Sequence, residues 1–153
     1  MTVEDDIIFF ERVPTLGLLG RQALRILAIG AETRYVHPGE VLFNAGAPAE
    51  GAYIVQEGRF QLSLDGSGEK PVVVGPYALL GEIALFTDAK RPVTATALEP
   101  ATVLHIPRPL FLKMLHSFPS SARKLREVFA TRLDESTREF ANLRAVLEEY
   151  DRQ

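Results

Sequence analysis

The sequence contains no cysteine. Disulfides and cysteine-ligated zinc or iron centres are therefore excluded. It also lacks any excess of positive charge: 17 Lys and Arg stand against 20 Asp and Glu, for a net charge of −3. A chain that grips nucleic acid through phosphates needs a basic patch, and none is visible. No apolar run is long enough to cross a bilayer; the most apolar early stretch, Leu16 to Ile29, is broken by Arg21 and Arg25. The N-terminal residues are acidic (Glu4, Asp5, Asp6), with no basic leader before an apolar core. No secretory signal is expected, and a cytoplasmic protein is. The three histidines, His37, His105 and His116, are widely separated. They do not make the clustered ligand set of a metal-dependent barrel enzyme and read as surface or packing residues. A nucleophile elbow, a Walker loop and a His-Glu-x-x-His pair are all missing, so no enzyme, no metal and no catalytic residue are expected. There is no internal repeat and no low-complexity stretch.

What remains is ordinary globular material. At 153 residues, with 46% apolar side chains, the chain can bury the core of one domain. Its texture changes twice, dividing that single domain into segments 1–35, 36–107 and 108–153.

In the first segment Leu18, Leu19, Ala23, Ile26 and Leu27 recur at helical spacing. One or two amphipathic helices follow, with Pro14 as a break or an N-terminal turn. In the second, short apolar runs alternate with Gly and Pro. Val41 to Phe43, Ala52 to Val55, Val72 to Val74, Val93 to Ala97 and Thr102 to Ile106 read as strands. Phe60, Leu62 and Leu64 alternate with Gln61, Ser63 and Asp65, the period of a half-buried strand. Asp65-Gly66-Ser67-Gly68 is a hairpin signal. Many short, evenly spaced strands imply a β jelly-roll barrel. The fold class is mainly β with flanking α. In the third segment a helix begins near Phe111, breaks at Phe118-Pro119 and resumes from Ser120. Leu133, Phe140 and Leu147 are spaced by seven, with Ser136, Leu143 and Tyr150 as a companion series. Such a seam suits either a homodimer contact or a helix folded back on its own barrel.

The chemistry concentrates in Gly81-Glu82-Ile83-Ala84-Leu85 and the following Arg91-Pro92-Val93-Thr94. Gly81 permits close backbone approach. Small Ala84 keeps a wall open, and Ile83 to Leu85 form one helical turn whose amides face an anion. Arg91 offers a guanidinium fork suited to phosphate oxygens, and Glu82 an acceptor for a sugar hydroxyl. If both point inward, each needs a partner, because buried unpaired charge is expensive. The plainer alternatives are a Glu82–Arg91 pair or an exposed Arg91.

Gly81 to Leu85 followed by Arg91 to Ala97 closely resembles the phosphate-binding cassette of the cyclic-nucleotide-binding domain family, which includes cAMP receptor domains of kinases, channels and bacterial transcription regulators. Pro38-Gly39-Glu40, Leu42-Phe43, Gly46, Tyr53-Ile54-Val55, Gly58, Gly75 and Phe111 also match its recurring positions. The resemblance runs from roughly Phe9 to Leu115. It implies a barrel flanked by N-terminal helices, a short cassette helix and C-terminal helices. Arg91 would hold the cyclic phosphate, with Pro92 and Val93 beside it. Glu82 and the Gly81 backbone would take the ribose 2′-hydroxyl, and the amides of Ala84 and Leu85 would complete the cradle after Ile83. The base would lean on Val72 or Val74, capped by a C-terminal helix residue such as Leu143, Leu147 or Tyr150. Pro92 has no N–H for the phosphate, which removes one hydrogen bond. Members preferring cGMP often carry a hydroxyl at that position, so the resemblance leans towards cAMP, with cGMP second. No recognition helix follows the barrel, so direct DNA binding is not expected. The expected protein is a standalone, bacterial-type, non-catalytic receptor whose ligand shifts the C-terminal helix and so an effector protein. The rival is an interaction or dimerisation scaffold that keeps the barrel and binds no nucleotide.

Overall fold

The computed structural model describes residues 2–64 and 70–135. Helix α1, Val3–Glu11, starts at a capping box: Thr2 accepts the Asp5 amide through its hydroxyl, and the Asp5 carboxylate accepts the Thr2 amide. A tight 3-10 turn at Leu16–Leu18 leads to α2, Arg21–Gly30. Ten strands follow, β1 to β10: Glu32–Val36, Val41–Phe43, Pro48–Ala49, Gly51–Glu57, Phe60–Ser63, Val72–Val74, Leu79–Leu80, Ala89–Lys90, Thr94–Ala97 and Ala101–Pro107. A second 3-10 turn, Glu82–Leu85, sits between β7 and β8. Helices α3, Arg108–Ser117, and α4, Pro119–Glu135, close the described chain. The expected break at Phe118-Pro119 is present, with Pro119 opening α4, where its missing N–H is harmless.

The strands form two antiparallel four-stranded sheets, ordered β1-β10-β4-β7 and β2-β9-β5-β6, with a small β3-β8 pair beside them. Val36, Leu42, Val55, Phe60, Leu80, Ala95, Ala97, Ala101 and Val103 fill the barrel. The other face of the first sheet, through Ala52, Ile54, Leu104 and Ile106, packs on the helices with Ile7, Phe10, Leu24, Leu27, Phe111 and Met114. Because β4 and β10 are covered on both faces, the neighbours Ile54 and Val55, and Val103 and Leu104, are all buried, whereas β5 buries Phe60, leaves Gln61 and Ser63 half-buried and alternates. The chain is a β jelly-roll barrel with flanking helices.

One boundary differs from the sequence reading. The barrel begins at Glu32, not after Tyr35, because Glu32 to Val36 pair with β10 from His105 to Ala101. This edge strand is exposed at every position except Val36, so no apolar periodicity betrays it. The Asp65–Gly68 hairpin, the Leu133 side chain, and Phe140, Leu143, Leu147 and Tyr150 of the proposed seam and cap lie outside the described residues.

Candidate ligand site

The site is built around Arg91, which β8 delivers to the barrel mouth. Its backbone is laced to the 44–47 loop: the Arg91 amide donates to Ala47 O (2.8 Å) and Arg91 O accepts the Gly46 amide (2.7 Å). Three residues on, the Ala45 amide donates to Thr94 Oγ1 at 2.9 Å. These bonds fix the backbone whatever the side chain is doing.

The guanidinium turns inward, and Arg91 as a whole is 5% exposed. Its Cζ lies 4.5 Å from the Phe43 ring centroid and 5.4 Å from that of Tyr53. Cation–π attraction offsets part of its lost hydration, on the order of 0.5–2 kcal/mol. Nη1 is buried and has no hydrogen-bond partner among the described residues. Among those residues no carboxylate comes within ion-pair distance of Arg91. Burial pushes its pKa below the ordinary value, with Tyr53 opposing. An arginine remains protonated under such conditions, so the barrel mouth holds a cation short of one acceptor.

Gly81 is what Nη1 faces. It sits in the left-handed region, φ 82° and ψ 36°, at the head of the Glu82–Leu85 turn. A Cβ there would fall 2.2 Å from Arg91 Nη1, so only glycine lets the turn and the guanidinium come this close. The structure thus brings Gly81 and Arg91 together. Other residues are placed differently. Glu82 is half-buried, and its Oε1 accepts the Thr15 hydroxyl at 3.0 Å, from the N-terminal segment. The Ala84 amide donates to Gly81 O at 3.0 Å and so closes the turn. Leu85 anchors that turn in the helix-side core, Ile83 and Val93 are half-buried, and Pro92 is exposed.

The far wall follows from strand register. Phe43 pairs with Ala95, Ala95 with Leu62, and Leu62 with Val72. This row crosses the second sheet from the ring under Arg91 to Val72, three strands away, or about 14 Å at the usual spacing. Ala95 contributes only a methyl group between them. Val74 lies opposite Phe60 and is half-buried, while Val72, at the open end, is 59% exposed.

Sequence reasoning missed four participants. Phe43 and Tyr53 read as strand residues at recurring family positions, without a role at the site, and Thr15 as part of a helical segment. Arg108, the first residue of α3, was passed over. Its Nη1 donates to Ala49 O (3.1 Å), Thr87 O (3.0 Å) and Ala84 O (3.4 Å), and its Nη2 to Asp88 Oδ1 (2.8 Å). One side chain thereby ties the end of the Glu82–Leu85 turn to β3 and to the head of α3. Arg108→Met keeps the stem and removes all four hydrogen bonds. It is expected to lower stability by roughly 1–3 kcal/mol, since partly buried carbonyls lose a charged donor. Urea denaturation with an unchanged m-value checks this.

A family model described as "Cyclic nucleotide-binding domain" matches residues 33–118, from β1 to the end of α3. The chain belongs to the cyclic nucleotide-binding domain family. Among solved structures, a cyclic nucleotide-binding-like protein from Brucella abortus is 35% identical with a TM-score of 0.66, covering 73% of this chain and 98% of that one. The N-terminal domain of a transcriptional regulator from Streptomyces coelicolor is 28% identical with a TM-score of 0.75, covering 83% and 91%. Lysophospholipase nte1 of Aspergillus fumigatus is 29% identical over 101 residues, which are 64% of this chain and 7% of that protein. The chain spans about 7% of the length of the first curated relatives it matches. Among the described residues no helix is long and apolar enough to cross a membrane.

Proposed function

We propose that the chain is a non-catalytic receptor for a cyclic nucleotide monophosphate, cAMP in preference to cGMP. The carrying observation is Arg91, a buried guanidinium whose Nη1 has no protein acceptor among the described residues. A singly negative cyclic phosphate docked on the Arg91 guanidinium, beside the Gly81–Leu85 turn, supplies that acceptor. The sugar then lies towards Glu82, and the base extends along the Ala95–Leu62 row to Val72 and Val74. One observation favours adenine: Pro92 has neither an N–H nor a hydroxyl to offer beside the phosphate. Occupancy is relayed to α3 and α4, and through them to an effector protein, because Arg108 joins the cassette carbonyls to the head of α3.

The test is titration calorimetry and thermal unfolding with cAMP, cGMP and 5′-AMP. Ligand at about a hundred times its dissociation constant is expected to stabilise the fold by roughly 2.7 kcal/mol. cAMP should do so at lower concentration than cGMP, and 5′-AMP, with its doubly charged phosphate, should do so least. No shift with either cyclic nucleotide at millimolar concentration would sink the receptor reading and leave the scaffold.

A further inference from the structure

Thr15 stands in an unusual position for its residue type. Its φ is 76° and its ψ −52°, outside the regions a β-branched residue favours. It precedes the 3-10 turn at Leu16–Leu18, where a threonine hydroxyl would ordinarily cap the turn, yet its side chain makes no capping bond there. The residue is 4% exposed, which sets that hydroxyl apart from bulk solvent. It donates instead to Glu82 Oε1 at 3.0 Å, 67 residues along the chain. An observed backbone outlier at a ligand site points to a role that outweighs the strain.

The platform beneath Thr15 is held from several sides. Val13, Leu16 and Leu19 are buried in the helix-side core. The Gly17 amide donates to Val13 O, and the Leu18 amide to Thr15 O. The buried Ser121 hydroxyl of α4 donates to Leu19 O at 2.7 Å. On the opposite side, the Phe9 ring of α1 stacks on Tyr77 at 4.8 Å, just before β7. The hydroxyl therefore reaches Glu82 from a fixed position.

Glu82 directly follows Gly81, whose Cα abuts the Arg91 guanidinium. The direction of its carboxylate thus sets the separation between a hydroxyl acceptor and the phosphate-binding cation. A carboxylate offers about four lone-pair sites on two oxygens, so a donor on Oε1 orients the group without exhausting it. On the receptor reading above, we infer that Thr15 is a positioning residue for Glu82, and that its hydroxyl makes the site select ribose over 2′-deoxyribose. The selectivity is a property of the N-terminal helical segment, delivered to the cassette from outside the barrel.

The test compares wild type with Thr15→Val, which keeps the shape and loses the hydroxyl, and with Thr15→Gly, which also relaxes the backbone. Thr15→Ser restores the hydroxyl. Each is titrated with cAMP and with 2′-deoxy-cAMP. Wild type should prefer cAMP by about tenfold or more, as expected for a hydrogen bond to a charged acceptor. Val and Gly variants should lose about that factor for cAMP and change little for 2′-deoxy-cAMP, while Ser stays within about twofold of wild type. Equal weakening for both ligands marks a merely structural residue and overturns the inference, as does no change at all. A ligand-free arm stands apart from the receptor reading: side-chain couplings of Glu82 measured by NMR. They should report one rotamer in wild type and in Thr15→Ser, and averaging in Thr15→Val. If wild type binds neither nucleotide, the receptor reading fails. Glu82 remaining in one rotamer without the hydroxyl then overturns the positioning role separately.

Discussion

Arg91→Met is expected to raise the stability of the ligand-free domain and to weaken cyclic nucleotide binding at least about a hundredfold. The two effects share one cause. In the free chain the guanidinium is buried, and burial acts against its charge. Its Nη1 has no acceptor among the described residues. Replacing buried charged groups by well-packed apolar side chains often stabilises by about 1–4 kcal/mol. Methionine is unbranched and polarisable, and it packs well against the Phe43 and Tyr53 rings that now flank the guanidinium. The hydrogen bonds of the 44–47 loop run through the Arg91 backbone and are unaffected. In the complex the balance reverses. Removing one partner of a buried, hydrogen-bonded charge pair costs about 2–5 kcal/mol, so affinity should fall about a hundredfold or more. Urea denaturation without ligand and calorimetry with cAMP measure the two halves. The order of stability should invert once wild type is saturated with cAMP, since only it gains from the ligand. A variant that is less stable when free, or that still binds cAMP as wild type does, would show that Arg91 is a structural cation.

Which features the sequence disclosed depends on the range of the interaction that makes them. The β5 strand is visible because Phe60 and Leu62 face the barrel and their neighbours do not. The β4 strand is visible as an apolar run because Ala52 and Ile54 face the helices while Val55 faces the interior. The β1 strand is invisible, because backbone pairing with β10 holds it and four of its five side chains are exposed. The cassette divides the same way. Gly81 and Arg91 are ten residues apart and carry a recognisable spacing, and the structure brings them into contact. The partners that arrange them come from afar: Thr15 from the N-terminal segment, Phe43 and Tyr53 from strands in different sheets, Arg108 from the head of α3. No local pattern says that a threonine before a 3-10 turn, or an arginine at a helix start, will send its donors to a turn tens of residues away. The same holds for His105, which sequence alone leaves as a surface or packing residue. It lies 4.7 Å from the Tyr53 ring, and burial presses its pKa down. It extends the aromatic row that begins under Arg91 and belongs to no cluster of metal-ligating side chains among the described residues.

Gly81→Ala should damage the same contact from the other side, and it separates backbone strain from collision. Alanine at φ 82° costs about 1–2 kcal/mol, because Cβ crowds the following carbonyl in the left-handed region. The added methyl would also lie 2.2 Å from Arg91 Nη1 and 3.5 Å from Gly51 O. The carbonyl is strand backbone and stays where it is. The guanidinium is the end of a flexible side chain and yields by swinging away from the turn, which takes it off the Phe43 ring. The expected result is a domain that still folds, less stable by roughly 1–3 kcal/mol, with cAMP affinity reduced about a hundredfold. The collision vanishes when the guanidinium is absent. In an Arg91→Met background, Gly81→Ala should therefore retain only the backbone strain. The two substitutions stand in direct contact and should be non-additive, with a coupling of about 0.5–3 kcal/mol in the ligand-free fold. Additive stabilities across that cycle would mean that Gly81 serves only its own turn. The close approach of Gly81 to Arg91 would then set nothing about the phosphate site.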